Sequence, residues 1–202
     1  MTPTPQFPLG LVLFPGMMLP LHVFEPRYRQ MVEHVLAKDG KFGVVLIERG
    51  REVGGNDERV EIGTLAQVTK AEQFDDGRWA LLITGLERFR IVQWVDDDPY
   101  PQAEIEPWPD PTDRPASPDQ IRKFVRCLAM SSELGMLRGP MPSKEELETL
   151  PSLALLAFAP LGSYDKQRLL ACPLAEDRFG MLEAMLDDAI EILELQLSDG
   201  GV

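Results

Sequence analysis

Apolar residues recur along this chain with two different periods, and the point where the period changes divides it. In the first half the runs "FGVVLIE" (42–48), "EIGTLAQVTKAEQF" (61–74), "RWALLIT" (78–84) and "RFRIVQWV" (88–95) are short, rich in β-branched and aromatic residues, and bounded by turn residues. That pattern predicts strands. Asp76-Gly77, between two of these runs, predicts a tight hairpin turn. In the last run Phe89, Ile91 and Gln93 should share one face, and Arg88, Arg90 and Val92 the other, wetter one. One helix interrupts the strands. Phe24, Tyr28, Met31, Val32, Val35 and Leu36 form a helical stripe of about four turns, which Gly40 ends.

Prolines mark the boundary. Seven of the eighteen lie between Pro99 and Pro118, where fixed φ angles and missing donors exclude helix and central strand. Residues 108–117 are read as a link between a β-rich part, 1–110, and a helical part, 111–202. Helix starts are then signalled: Ser117-Pro118 with Gln120, and Ser143 with Glu146, both in capping-box spacing. A final helix from about Pro173 to Leu197 carries an apolar stripe from Phe179 through Leu182, Leu186 and Ile190 to Leu193. Glu183, Asp187, Glu191 and Glu194 lie opposite and are expected to be a solvated face.

Charge narrows the function. Thirty-three acids against twenty bases give a net charge of −13, a field that repels phosphate backbones and anionic lipid. Both parts are acidic, with 11 bases and 18 acids in residues 1–110 and 9 and 15 in the rest, so no basic arm is concealed in the average. The apolar opening "FPLGLVLFPGMMLPL" lacks a preceding base and is broken by prolines at 8, 15 and 20, unlike a signal peptide. It is too short to span a bilayer. A cytoplasmic protein is the expectation.

Chemistry is sparse. Cys127 and Cys172 are expected to be buried thiols, and His22 and His34 are too isolated for a metal site. Ser163 and Lys166 fit SxxK, yet Ser163 also suits a helix N-cap and no companion motif accompanies the pair. The glycines of "ERGREVGGNDER" fit no phosphate-binding signature and are read as a hairpin loop. Glu25 is read as a charge at a helix N-terminus with Pro26 in the first turn. No catalytic residue, cofactor or metal is expected.

Three segments do carry a resemblance. "FPLGLVLFPGMMLPLHVFEPRYRQMVEHVL", "EIGTLAQV" and "LLITGLERFRI" resemble, in order and spacing, signature segments of the Lon substrate-binding domain, the N-terminal domain of the ATP-dependent Lon protease. The stretch "YDKQRLLACPLAEDRFGMLEAMLDDAIEIL" is similar to its closing helices. The resemblance implies an α+β fold: a PUA-like, strongly bent antiparallel β pseudo-barrel with one helix, followed by a helical bundle. It assigns Phe14, Pro15, Gly16, Glu25, Arg27, Tyr28, Gly63, Gly85 and Arg88 to fold-defining roles. The chain carries no Walker motif, and Ser163 and Lys166 do not match the family's Ser-Lys catalytic pair, so a free-standing, non-enzymatic member is expected.

The implied function is recognition of unfolded or exposed protein segments, as an adaptor or regulator in proteolysis, with a protease or chaperone as a further partner. The adaptable apolar residues Met17, Met18, Leu19, Leu21 and Trp108 are the candidate contacts, expected between the sheet and the helices. A small-molecule or RNA binder built on the PUA-like barrel is the alternative, with the acidic charge set against RNA. An esterase or peptidase using Ser163 is a third reading.

Overall fold

The computed structural model describes residues 3–49, 58–137 and 141–199, and the glycine-rich loop read above lies largely outside them. The chain forms two compact units, Met1–Pro109 and Asp110–Val202.

In the first unit the strands are β1 (Thr4–Leu9), β2 (Met18–Val23), β3 (Lys41–Arg49), β4 (Glu58–Gln73), β5 (Trp79–Val95) and β6 (Gln102–Pro107), with helix α1 (Pro26–Leu36) between β2 and β3. The sheet order is β2-β5-β4-β3-β1-β6, and β6 also pairs with β5. The ladders therefore return on themselves, but the β1–β6 seam is only two residue pairs long, which makes a pseudo-barrel. The sheet is mixed where an antiparallel one was expected, because β1 runs parallel to β3. A long connection through β2 and α1 separates those two strands, as a parallel pair requires.

The two runs at 78–84 and 88–95 are one strand. Thr64 pairs with Arg88 while Ala66 pairs with Gly85, so Leu86 and Glu87, both exposed, stand opposite the single residue Leu65, and one extra residue bulges at the expected break. The Asp76-Gly77 turn closes the β4–β5 hairpin, with the Phe74 N–H donating to Arg78 O at 2.8 Å. Phe89 and Ile91 are buried and Arg90 and Val92 exposed, as the alternation predicts, but Gln93 is exposed, beyond a register shift that follows Ile91. Arg88 departs from it: the Trp108 ring lies 6.0 Å from its guanidinium, and Arg88 is buried on what should be the wet face.

Helix α1 is shorter than the stripe suggests, eleven residues or about three turns. Pro26 occupies its first turn after Glu25. Tyr28, Met31, Val32 and Val35 are buried against β1, β3 and β5, with Tyr28 stacked on Phe7 at 4.4 Å. Phe24 and Leu36 are exposed. Phe24 precedes the helix, so helical periodicity does not govern where it points.

The FPG segment forms a corner clamped onto β5. Gly16 adopts φ +79°, which only glycine enters freely. Its N–H donates to Gly85 O at 2.8 Å, and the Gly85 N–H donates to Met17 O at 2.9 Å. The buried Thr64 hydroxyl donates to Leu13 O at 2.6 Å, which holds the approach to the corner. Phe14, fully buried, fills the space beneath.

The second unit contains α2 (Pro118–Glu133), α3 (Lys144–Thr149), α4 (Ser152–Leu156), α5 (Ser163–Leu170) and α6 (Ala175–Asp199). Both capping boxes are present, at Ser117/Gln120 and Ser143/Glu146. Phe179, Leu182, Leu186, Ile190 and Leu193 bury the apolar face of α6. Its acidic face is more than solvated: Gln120 donates to Glu183 at 2.8 Å, Lys123 pairs with Asp187 at 2.8 Å, and Arg126 pairs with Glu194. These contacts fix the register of α2 on α6 but add little stability, since exposed pairs are worth about 0–1 kcal/mol.

Residues 110–115, read as a link, are anchored into this unit. Arg178, with a side chain 0% exposed, donates to Asp110 Oδ2 at 2.6 Å and to Cys172 O at 3.0 Å, and it also bonds the Ser152 hydroxyl. Asp113 Oδ1 accepts from Ser152 N at 2.9 Å. Cys127 and Cys172 are buried and not joined by a disulfide, and burial pushes the Cys127 thiol upward, with a smaller opposing effect from Ser131.

Candidate peptide-binding site

Among the described residues, strand β2 is bonded on one side only, to β5 through Met18↔Thr84 to Val23↔Trp79. Met17 is half-buried and packs on the core, whereas Met18 is 66% exposed. Pro20 has no N–H, so it occupies a position that does not bond β5, and its missing donor lies on the outer edge.

Two hollows flank the strand. One, of about 200 Å³, is lined by Phe7 and Leu9 of β1, Leu19 and Leu21 of β2, and Phe24 with Glu25 at its end. The other, of about 130 Å³, lies among His22, Phe24, Phe74, Arg78 and Trp79. They meet at Phe24, which is 53% exposed, and Phe74 on the second is 40% exposed. The Trp79 indole N–H is buried without a hydrogen-bond partner among the described residues, although buried donors are normally paired. Glu25 bonds Arg27 at 3.2 Å.

Of the residues singled out from sequence, Leu19 and Leu21 line the first hollow, Met18 projects from the same strand, and Met17 belongs to the core face. Trp108 is elsewhere. Its backbone N–H donates to Arg88 O at 2.9 Å and its ring faces Arg88 and Arg90, on the half of β5 beyond β2. Phe24 and Phe74 were not anticipated as contacts. The available signal was that Phe24 precedes Glu-Pro, a helix start, and so need not obey the stripe.

The residues with catalytic potential have structural surroundings. Ser163 stands at the first position of α5, whose N-cap is Gly162, so it is not the expected cap. Lys166 Nζ donates to Ala157 O at 3.3 Å, and burial lowers its pKa. His34 Nδ1 is 2.9 Å from the Tyr100 hydroxyl. Among the described residues, no group of three or more His, Cys, Asp or Glu could hold a metal ion, and no helix is long and apolar enough to cross a membrane.

Residues 4–188 match the ATP-dependent protease La (LON) substrate-binding domain, and the chain belongs to that family. The Lon protease of Cytophaga hutchinsonii is 26% identical over 200 residues, covering 93% of this chain and 24% of that protein. The Lon protease of Syntrophus aciditrophicus is 32% identical over 99 residues, 47% of this chain and 12% of that protein. The chain thus spans about a quarter or less of the length of these curated relatives. Among solved structures, a Lon N-terminal domain protein from Xanthomonas campestris aligns with a TM-score of 0.63 at 24% identity, covering 91% of this chain and 98% of that one. The N-terminal domain of a Mycobacterium avium complex Lon protease aligns with a TM-score of 0.61 at 16% identity, over 93% and 99%. Both likenesses concern the fold. The substrate-binding match fills most of these 202 residues and brings neither an ATPase nor a peptidase module with it.

Proposed function

We propose that this chain is a non-enzymatic module that binds exposed apolar segments of other proteins through the β2 surface, in the service of proteolysis as adaptor or regulator. The observation that carries the reading is the pair of hollows meeting at exposed Phe24, in a member of a substrate-binding family. Apolar side chains of the bound segment enter the hollows. Pro20 removes a donor from the middle of the β2 edge, which disfavours simple addition of a strand. Recognition therefore runs through side chains, and Met18 adapts to varied partners.

Anisotropy titration with a fluorescently labelled, permanently unfolded protein tests this. Phe24→Ser together with Met18→Ser should weaken binding about tenfold, the scale of removing a modest interface anchor. Both residues are exposed, so stability should change by about 0.5 kcal/mol or less. Unchanged affinity in a folded double variant would remove the β2 surface from the account.

A further inference from the structure

A cavity of about 370 Å³ opens on the first unit, away from β2, where the last turn of α1 meets β1, β3, β4 and β6. Its volume is within the ligand-site range of about 300–1,000 Å³. Its polar lining reverses the charge of the molecule. Lys38, Lys41 and His34 stand against a single carboxylate, Asp39, on a chain with a net charge of −13. Asp39 holds Lys41 only loosely, at 4.0 Å between two exposed groups, a contact of small worth. That leaves the Lys41 ammonium available to a better-placed anion.

His34 is oriented for the same purpose. Its Nδ1 lies 2.9 Å from the hydroxyl of buried Tyr100. A buried phenol needs an acceptor for its proton, and burial raises the Tyr100 pKa, so the O–H persists at neutral pH. When that O–H donates to Nδ1, the hydrogen of the neutral imidazole sits on Nε2. The ring is then a further donor. The same cavity is also lined by the aliphatic side chains of Val35, Leu65 and Ile105. Lys38 also favours the C-terminal end of α1 by its charge, but Lys41 belongs to β3 and has no such role.

We infer that this cavity binds the free C-terminus of a polypeptide ending in an aliphatic residue, with Lys38, Lys41 and His34 receiving the terminal carboxylate and Val35, Leu65 and Ile105 the last side chain. The inference rests on the reading that the chain takes exposed protein segments, and it adds a second site that selects chain ends.

The test uses the whole chain and a fluorescein-labelled hexapeptide, Gly-Ser-Gly-Ser-Ala-Leu, as free acid and as C-terminal amide. The acid should bind about tenfold or more tighter than the amide, the worth of hydrogen bonds to a charged group. Lys38→Gln with Lys41→Gln, both surface changes, should bring the acid down to the amide. Phe24→Ser should leave the acid-to-amide ratio unchanged while weakening the unfolded protein, which separates this site from the β2 surface. Equal affinity of acid and amide for the wild type would overturn the inference. So would a ratio that survives in the double lysine variant, or an acid ending in serine that binds as tightly as the leucine peptide and is displaced by inorganic phosphate.

Discussion

Replacing Arg178 by methionine is expected to destabilise the helical unit by about 3–5 kcal/mol, because it leaves the Asp110 carboxylate buried without its partner. Asp110→Ala should destabilise too, since the guanidinium loses its 2.6 Å ion pair and keeps Asp113 Oδ1 only at 3.7 Å beside the Ser152 hydroxyl and Cys172 O. Against a typical domain stability of about 5–15 kcal/mol, either change consumes much of the total. The double replacement Arg178→Met with Asp110→Leu should recover most of the loss, since a buried pair exchanged for apolar groups is often neutral. Urea unfolding followed by far-UV circular dichroism measures all three. A single variant as stable as the wild type would show that the pair does not anchor residues 110–115.

The same pair predicts acid sensitivity. Burial alone would raise the Asp110 carboxyl, but hydrogen bonds from Thr112 and Arg178 outweigh it and hold the group below its ordinary value of 3.8. Its contribution is therefore complete above the unfolded value and is lost as pH falls through the depressed folded value. Asp110→Asn should flatten that part of the stability profile below about pH 4.

The second large effect belongs to Gly85→Ala. A Cβ there would lie 2.2 Å from the carbonyl oxygen of Phe14 and 3.0 Å from its carbon, both backbone atoms of the corner that Gly16 and Gly85 clamp together. Relief requires moving the corner, at a cost of about 3 kcal/mol or more. Because the corner leads directly into β2, binding of an unfolded protein should weaken as well. Gly180→Ala is the contrast. That site sits in α6 with nothing within 4 Å, and the change should stabilise by about 0.5–1 kcal/mol. Thermal melts of the two variants should move in opposite directions. If both are harmless, the close approach at Gly85 is not what the fold depends on.

Features written within one element were legible in the sequence. The Tyr28, Met31, Val32 and Val35 stripe, the Asp76-Gly77 turn and the Ser117 and Ser143 capping boxes all depend on residues a few positions apart, and the structure has each of them. What failed to show was pairing between distant segments. The parallel β1–β3 ladder joins residues far apart in sequence and leaves no local pattern. Arg178 lies four residues before Leu182, within the apolar stripe of α6, and that position marks a buried charge. Its partner, 68 residues away, could not be named from spacing.

The candidate site divides in the same way. Leu19 and Leu21 are apolar residues of a strand and sit where a groove on that strand requires them. Phe24 continues the helical period of α1 by coincidence, and only the helix start at Pro26 frees it to project. Phe74 reaches the same surface from the end of the β4–β5 hairpin, through pairing that β2 makes with β5.

Site-directed photo-crosslinking tests the central claim most directly. A photoreactive phenylalanine analogue placed at Phe24, and separately at the exposed Val92 on the other half of β5, is irradiated with a labelled, permanently unfolded protein. The account predicts strong adducts from position 24, competed away by unlabelled unfolded protein, and little from position 92. Equal or stronger crosslinking from position 92 would contradict it.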